Sequence, residues 1–186
     1  MALASYALVD WDTVKEQLNL EDSEESKAEL VINAASETAN DYAGRLLKAD
    51  DYTHDFDGTG GRLLILRQYP VNAVDAVYVD SDRGFAASSE VTDFVVHANI
   101  GKIVRTSGVW PRGIQNIRVE YNAGYDPVPS QLQLAVLEVI AYNWRRLVSQ
   151  SVGVRTMSGD GVSTEFELTI PTNAQRIFES YRVAPV

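Results

Sequence analysis

The chain has 186 residues, 45% of them hydrophobic, enough to bury the core of one domain plus an extension. It contains no cysteine, which excludes disulfides, thiolate metal sites and cysteine nucleophiles. The net charge is −10, with 16 basic and 26 acidic residues, and the longest basic run is Arg145-Arg146. Because phosphate binding draws on clustered Lys and Arg, direct DNA binding is disfavoured. An acidic wall would still suit a DNA conduit, since it repels phosphates.

No signal peptide or membrane contact is expected. Residues 1–8 have neither a basic region nor a long apolar run, and no stretch of the chain approaches 18 apolar residues.

Two helices are predicted in the first 45 residues. Asp10 or Asp12 can cap the first, which covers about residues 12–18. Ser23 or Ser26 can cap the second, which follows the polar stretch 19–26 and runs to about Arg45. Gly44 fits either a position that ends this helix or a place where another backbone comes close.

From residue 50 the hydrophobic period changes to two, which predicts β-strands. Residues 52–56 and 62–66 are predicted to form a hairpin around the Gly-rich turn at 57–61. Further strands are predicted at 74–79, 94–96, 102–105 and 115–121.

The segment 130–148 predicts a long helix that is apolar nearly all round. Such a helix must cover a sheet and also meet either the helix at 23–45 or a neighbouring subunit. Residues 149–165 are rich in Ser, Gly and Thr and are interpreted as a flexible loop or arm. A strand at 166–170 and a short helix at 174–181 follow.

The predicted fold class is α+β. Two N-terminal helices and the long helix near 130–148 form a helical bundle, packed with a small antiparallel β element and followed by a C-terminal arm. The predicted division is a core domain of residues 1–148 and an arm of residues 149–186 with a short terminal helix.

Motifs that could carry chemistry are weak. Asp55-x-Asp57-Gly58-x-Gly60 is slightly similar to a calcium loop, but the twelfth position is Leu66 instead of Glu, so a turn is the better interpretation. His54 and His97 are the only histidines, and no H-E-x-x-H pattern surrounds them. The sequence therefore predicts no catalytic residue, cofactor or metal.

Two tryptophan motifs allow two interpretations each. Trp110-Pro111 is either a loop anchored in the core or an exposed interface anchor, and the core is favoured. Trp144-Arg145-Arg146 ends the long helix. Its arginines either complement the helix dipole or contact an acidic neighbour, and neither interpretation is preferred.

Several motifs occur in a characteristic order. Tyr42-Ala43-Gly44-Arg45 ends the second helix, a D-G-x-G-G turn and an x-Pro-Val break span 57–71, and Trp110-Pro111 follows. Ala123-Gly124-Tyr125 with a D-x-V-P element then precedes the long helix, and Tyr181-Arg182 lies near the end. In this order the chain resembles the head-tail connector (adaptor) proteins of tailed bacteriophages, the gp6-like family.

The resemblance implies a structural protein and not an enzyme. It implies a twelve-subunit ring under the portal that extends the DNA channel and docks the next neck or tail protein. The implied partners are other copies of the chain, the portal protein and a stopper or tail-completion protein, while DNA passes through without specific binding. The implied location is the virion neck, after synthesis in the host bacterial cytoplasm.

Two alternatives remain: another neck or tail-completion ring protein, or an enzyme with an unrecognised site. The apolar helix faces are expected to pack the ring, and the C-terminal arm to reach the portal and to order on binding. Interaction residues are predicted at Leu134, Leu137, Ala141, Trp144, Arg145, Arg146, Arg155, Phe178, Tyr181 and Arg182.

Overall fold

The computed structural model of the chain describes residues 2–148, 156–159, 162–165 and 170–183. Within these ranges the protein forms four α-helices, two three-stranded antiparallel sheets and a two-stranded hairpin. The predicted α+β class is confirmed. None of the described helices is long and apolar enough to cross a membrane.

The elements follow in chain order. The helices are α1 (Trp11–Leu18), α2 (Glu25–Ala43), α3 (Ser130–Val148) and α4 (Thr172–Ser180). The strands are β1 (Asp50–Gly58), β2 (Leu63–Ile65), β3 (Val71–Val79), β4 (Phe94–His97), β5 (Lys102–Arg105), β6 (Gly113–Ala123), β7 (Thr156–Gly159) and β8 (Val162–Glu165).

The chain divides into two compact units. A helical unit comprises Met1–Leu47 and Pro127–Val186, and a β unit comprises Lys48–Asp126. This grouping differs from the predicted division at residue 148. The reason is that α4 packs on α2 and α3, so the end of the chain belongs with the helices at its beginning.

Local capping sets the ends of α1 and α2. The backbone N–H of Thr13 donates to Asp10 Oδ1 at 2.7 Å, so Asp10 is the N-cap of α1. A short 3₁₀ turn precedes α2, and its capping box is formed by Glu21 and Glu24. The predicted caps Ser23 and Ser26 are therefore wrong, since they lie inside the turn and inside α2. Gly44 ends α2 at φ +70° and confirms the predicted terminating role.

The core of the helical unit lies between α2, α3 and α4. Half of the buried residues of α2 are alanine, which lets the other helices approach closely, and the ring centroids of Tyr42 and Phe178 lie 6.2 Å apart. The backbone N–H of Val183 donates to Ala43 O at 3.0 Å. The fully buried apolar residues of α3 and α4 are Leu132, Ala135, Val136, Ile140, Ala174 and Phe178.

The β unit contains two sheets, with strand orders β1-β6-β3 and β2-β5-β4. The predicted hairpin of 52–56 with 62–66 is wrong, because β1 pairs with β6 and β2 pairs with β5. The Gly-rich turn instead pairs with the Trp-Pro loop. Gly60 donates its N–H to Trp110 O at 3.0 Å, and Trp110 donates its N–H to Gly61 O at 2.7 Å. The predicted short strands near 94–96 and 102–105 do pair, as β4 and β5.

Trp110 is fully buried in the core of the β unit, which confirms the favoured interpretation of the Trp-Pro loop. The guanidinium of Arg105 lies 5.0 Å from the Trp110 ring centroid. The same core contains Phe56, Leu64, Ile103, Ile117 and Tyr121.

The segment 149–165, predicted as a flexible loop or arm, contains two paired strands, β7 and β8. The prediction was therefore wrong for the residues of these strands. The rest of that segment lies outside the described residues. Most of the predicted strand at 166–170 also lies outside them, and Ile170 itself is in a bend.

An ion pair joins β1 to β6. Arg118 Nε and Nη2 donate to the two carboxylate oxygens of Asp55 at 2.8 and 2.9 Å. These hydrogen bonds hold the pKa of Asp55 below its usual range. A depressed folded-state pKa means that the contribution to stability is present above the unfolded pKa, near 4, and is lost as the pH falls through the folded pKa.

We expect Asp55→Asn to lower the free energy of unfolding by about 1 kcal/mol at pH 7, since it removes a partly exposed bidentate pair. Urea denaturation at pH 7 and near pH 3 measures the effect, which shrinks at the lower pH. Asp75→Asn, at an exposed position of β3, is the matched control and should change stability by less than about 0.5 kcal/mol. An equal loss for Asp55→Asn at both pH values would contradict the assignment.

Candidate functional site

Helix α3 has an apolar stripe on the side away from its buried face. Leu134, Leu137, Ala141, Trp144 and Val148 follow each other at spacings of three and four, which places them on one side of a helix. We call these five residues the α3 stripe. Leu134 is 54% exposed and Val148 is 64% exposed, and the other three are partly buried.

A partly exposed apolar stripe of this kind is typical of a helix that packs on another chain. The buried residues of α3 already form the contact with α2 and α4, so the stripe is not needed for the core of the helical unit. Exposing large apolar side chains to water costs free energy, and a partner that covers them removes this cost. The α3 stripe is therefore the candidate assembly surface.

A cleft lies beside α3 at its C-terminal end. It has a volume of about 300 Å³ and is mainly apolar, and Leu30 and Leu147 at its rim are each 51% exposed. Its lining residues are Leu30, Val31, Ala34, Asn143, Arg146 and Leu147. A second cavity of about 480 Å³, between α2, α3 and α4, is more polar and contains Thr38, Tyr42, Tyr142 and Gln175.

The structure brings four of the predicted interaction residues together, because Leu134, Leu137, Ala141 and Trp144 all belong to the α3 stripe. Arg145 follows them as an exposed residue.

The other predicted residues lie elsewhere. Arg146 lines both cavities, with its guanidinium 5.6 Å from the Tyr142 ring centroid. Phe178 is fully buried and is a core residue of the helical unit, not an exposed contact. Tyr181 O accepts a hydrogen bond from Arg45 Nη2 at 3.4 Å, and Arg182 is exposed. Arg155 lies outside the described residues.

Sequence reasoning missed Leu30, Leu147 and Val148 as exposed residues. Val148 carried a usable signal, since it continues the spacing of the α3 stripe by one more step. Leu30 carried none, because it belongs to a helical repeat of Leu30, Val31, Ala34, Thr38 and Tyr42 in which Val31 is buried and Ala34 is exposed.

Three ionisable side chains of the β unit, those of Tyr52, His54 and Tyr121, lie close together on the sheet β1-β6-β3. His54 Nδ1 lies 2.9 Å from the hydroxyl of Tyr121, and burial together with the charge of Arg67 lowers the pKa of His54. Burial, with the nearby charge of Asp50, raises the pKa of Tyr52 to about 12. In the described part of the chain, no three His, Asp or Glu side chains are grouped so that they could hold a metal ion.

Comparison with known proteins identifies the chain's relatives. The family model described as "HCP: Head completion protein" matches residues 7–184. The chain belongs to the head completion protein family. The predicted location in a virion is thereby confirmed, and proteins of this kind are structural components of virions. The predicted resemblance is confirmed at this level, as a head-completion protein and not specifically as an adaptor.

Solved structures share the fold of this head completion protein over its full length. A chain from the virion of a native gene transfer agent (GTA) particle matches with a TM-score of 0.68 and 17% identity. Chains from the neck of an empty GTA particle computed with C6 symmetry and the neck of a native GTA particle computed with C12 symmetry match with TM-scores of 0.66 and 0.63, at 15% and 16% identity. Each comparison covers 100% of this chain and 94% of the other. No protein of curated function matches the chain in sequence.

Proposed function

We propose that this head completion protein forms a homo-oligomeric ring at the neck of a tailed, phage-like particle. There it acts as the connector between the portal and the next neck or tail protein. The observation that carries the proposal is the family match over residues 7–184. It is supported by a fold shared with chains from GTA necks, for which C6 and C12 symmetry were used.

The α3 stripe supplies the apolar part of the ring contact. Covering a leucine such as Leu134 is worth about 2 kcal/mol when its exposed surface is fully removed from water. In a ring every subunit makes the same contact on two sides, so a modest free energy per contact is repeated around the whole assembly. This repetition favours a closed ring over isolated pairs.

The charge of the chain suits a passage for DNA. A net charge of −10 per subunit is multiplied by the number of subunits, and the resulting potential repels phosphates. A ring of this kind extends the DNA channel without holding DNA. Contact with the portal is assigned to the C-terminal region, where Arg182 is an exposed basic residue.

The test is to mix the purified protein with the portal protein encoded in the same genome and to image the particles by electron microscopy. The expected result is a collar of added density below the portal ring, with the same rotational symmetry as the portal or a divisor of it. A bovine serum albumin sample at equal concentration is the control for non-specific density.

Bare portals at high protein concentration would overturn the connector role. In that case the protein would act further down the neck, as another tail-completion ring. Rings that form without the portal, together with bare portals, would support that second function.

A further inference from the structure

Basic residues are concentrated in one part of this acidic chain. Residues 58–74 and 94–119 contain six basic side chains and no Asp or Glu, while all 26 acidic residues lie elsewhere with the other 10 basic ones. The same two segments contain all of the large, exposed apolar side chains of the β unit: Leu63, Ile65, Val95, Ile100, Val109 and Ile114.

The outer face of the sheet β2-β5-β4 brings these two properties together. Leu63 pairs with Val104, which pairs with Val95, and the next row joins Ile65, Lys102 and His97. Alternation along each strand puts these six residues on one side, and we call them the basic sheet face. The residues between them point to the other side, where Leu64 and Ile103 are buried.

The aliphatic side chains of this face stay exposed in the described part of the chain. Leu63 is 42% exposed, Ile65 is 40% exposed and Val95 is 50% exposed. Apolar side chains directly opposite each other on neighbouring strands form a continuous surface, so a partner would cover them together. A partner that fits must offer apolar contacts and negative charge, because Lys102 lies among the aliphatic side chains.

The chemistry of the face favours a protein over a nucleic acid. Phosphate binding needs basic groups that are free to reach the backbone of the nucleic acid. Two of the nearby arginines are already engaged: Arg62 Nη2 donates to Arg105 O at 2.7 Å, and Arg105 donates to Asp93 at 3.0 Å. The exposed aliphatic side chains would gain nothing from a phosphate backbone.

The chain itself contains a segment with the complementary charge. Residues 10–29 hold eight acidic residues and only two basic ones, Lys15 and Lys27. Asp12, Glu16 and Glu25 are exposed there. The segment also contains Leu18 and Leu20, both partly exposed, which supply apolar surface beside the carboxylates.

We infer that the basic sheet face of one copy binds the acidic segment 10–29 of the next copy. This inference rests on the ring proposed above and names a contact within it. The two surfaces are different, so the contact is heterologous and continues from subunit to subunit. It also explains how subunits that each carry −10 associate, since opposite charges meet at the contact and fix its direction.

A photo-crosslinking amino acid at Val95 tests the contact. A mixture of nitrogen-15-labelled and unlabelled protein is irradiated alone at high concentration and again on the portal, and linked peptides are identified by mass spectrometry. Links between peptides of opposite label, from position 95 to residues 10–29, are the expected result. The same probe at Ser88, an exposed position of the β unit outside the face, is the control and should give none.

Charge reversal tests the electrostatic contribution to the contact between the basic sheet face and residues 10–29. We expect Lys102→Glu to lower the yield of the position-95 link about tenfold, and Lys48→Glu, a basic residue outside the face, to leave it nearly unchanged. Mixing Lys102→Glu copies that carry the probe with Glu16→Lys copies should restore part of the link between the two variants.

The contact would be overturned by links from position 95 within one chain only, by links to the portal only, or by no link in either sample. The experiments distinguish failure of the proposed contact from failure of the proposed connector role. A collar on the portal without the link would overturn this contact alone, while the link without a collar would overturn only the connector role.

Discussion

The variant Leu134→Lys is expected to abolish ring assembly while the subunit stays folded. Leu134 is more than half exposed at the N-terminal part of the α3 stripe, so lysine causes no clash in the isolated subunit. In the ring the ammonium group would be buried against apolar side chains, which costs several kcal/mol unless a partner charge meets it. Because every subunit repeats the defect, the concentration needed for assembly should rise more than about hundredfold.

Sedimentation velocity and electron microscopy on the portal measure assembly, and thermal unfolding measures the subunit. Gln131→Lys adds the same charge at an exposed position of α3 outside the stripe, so it should assemble like the wild type. Stability of both variants should stay within about 0.5 kcal/mol of the wild type, as is usual for surface substitutions. Normal rings from Leu134→Lys would remove the α3 stripe from the interface.

The variant Gly124→Ala is expected to lower the free energy of unfolding of the β unit by about 4 kcal/mol. Gly124 has φ +119°, a conformation that side chains rarely adopt. A Cβ atom there would lie 2.5 Å from Lys48 O and 2.6 Å from Ala49 Cα, both of which are backbone atoms that a side-chain rotation cannot move. Strain and overpacking each cost about 1–3 kcal/mol, and here they act together.

Gly108→Ala separates these two causes. Gly108 also has a positive φ, +71°, but nothing lies within 4 Å of the position where its Cβ would be. Only strain remains, so we expect a loss of about 1 kcal/mol in urea denaturation followed by tryptophan fluorescence. Equal losses for the two variants would mean that the close approach of Lys48 and Ala49 does not matter.

The turn around Gly124 shows why a local motif was readable in the sequence. The Ala-Gly-Tyr turn was predicted from residue types alone, whereas the close approach of Lys48 and Ala49 to Gly124 became visible only in the structure. The start of α1 and the end of α2 were readable for a similar reason. Asp10 and Gly44 act on backbone groups within a few residues of themselves, so no distant contact is needed to interpret them.

Strand pairing was not readable in the same way. Residues 52–56 and 62–66 both have strand patterns and are separated by a Gly-rich turn, which is the usual signature of a hairpin. The turn lies instead against Trp110, about fifty residues later in the chain, and β1 pairs with β6. Hydrogen bonds between strands depend on residues far apart in sequence, so a local pattern does not contain them.

By itself, the sequence determined the α+β class, the positions of most elements, the acidic charge and the structural character of this head completion protein. The first three follow from periodicity, capping residues or composition, which act locally or sum over the chain, whereas the structural character was implied by the family resemblance. Only the tertiary structure decided which side of each element is covered. Leu134 and Val136 are both aliphatic residues of α3, yet one is exposed and the other fully buried. The difference arises because, among the described residues, α2 and α4 pack on the side of α3 that carries Val136, while Leu134 belongs to the α3 stripe on the other side.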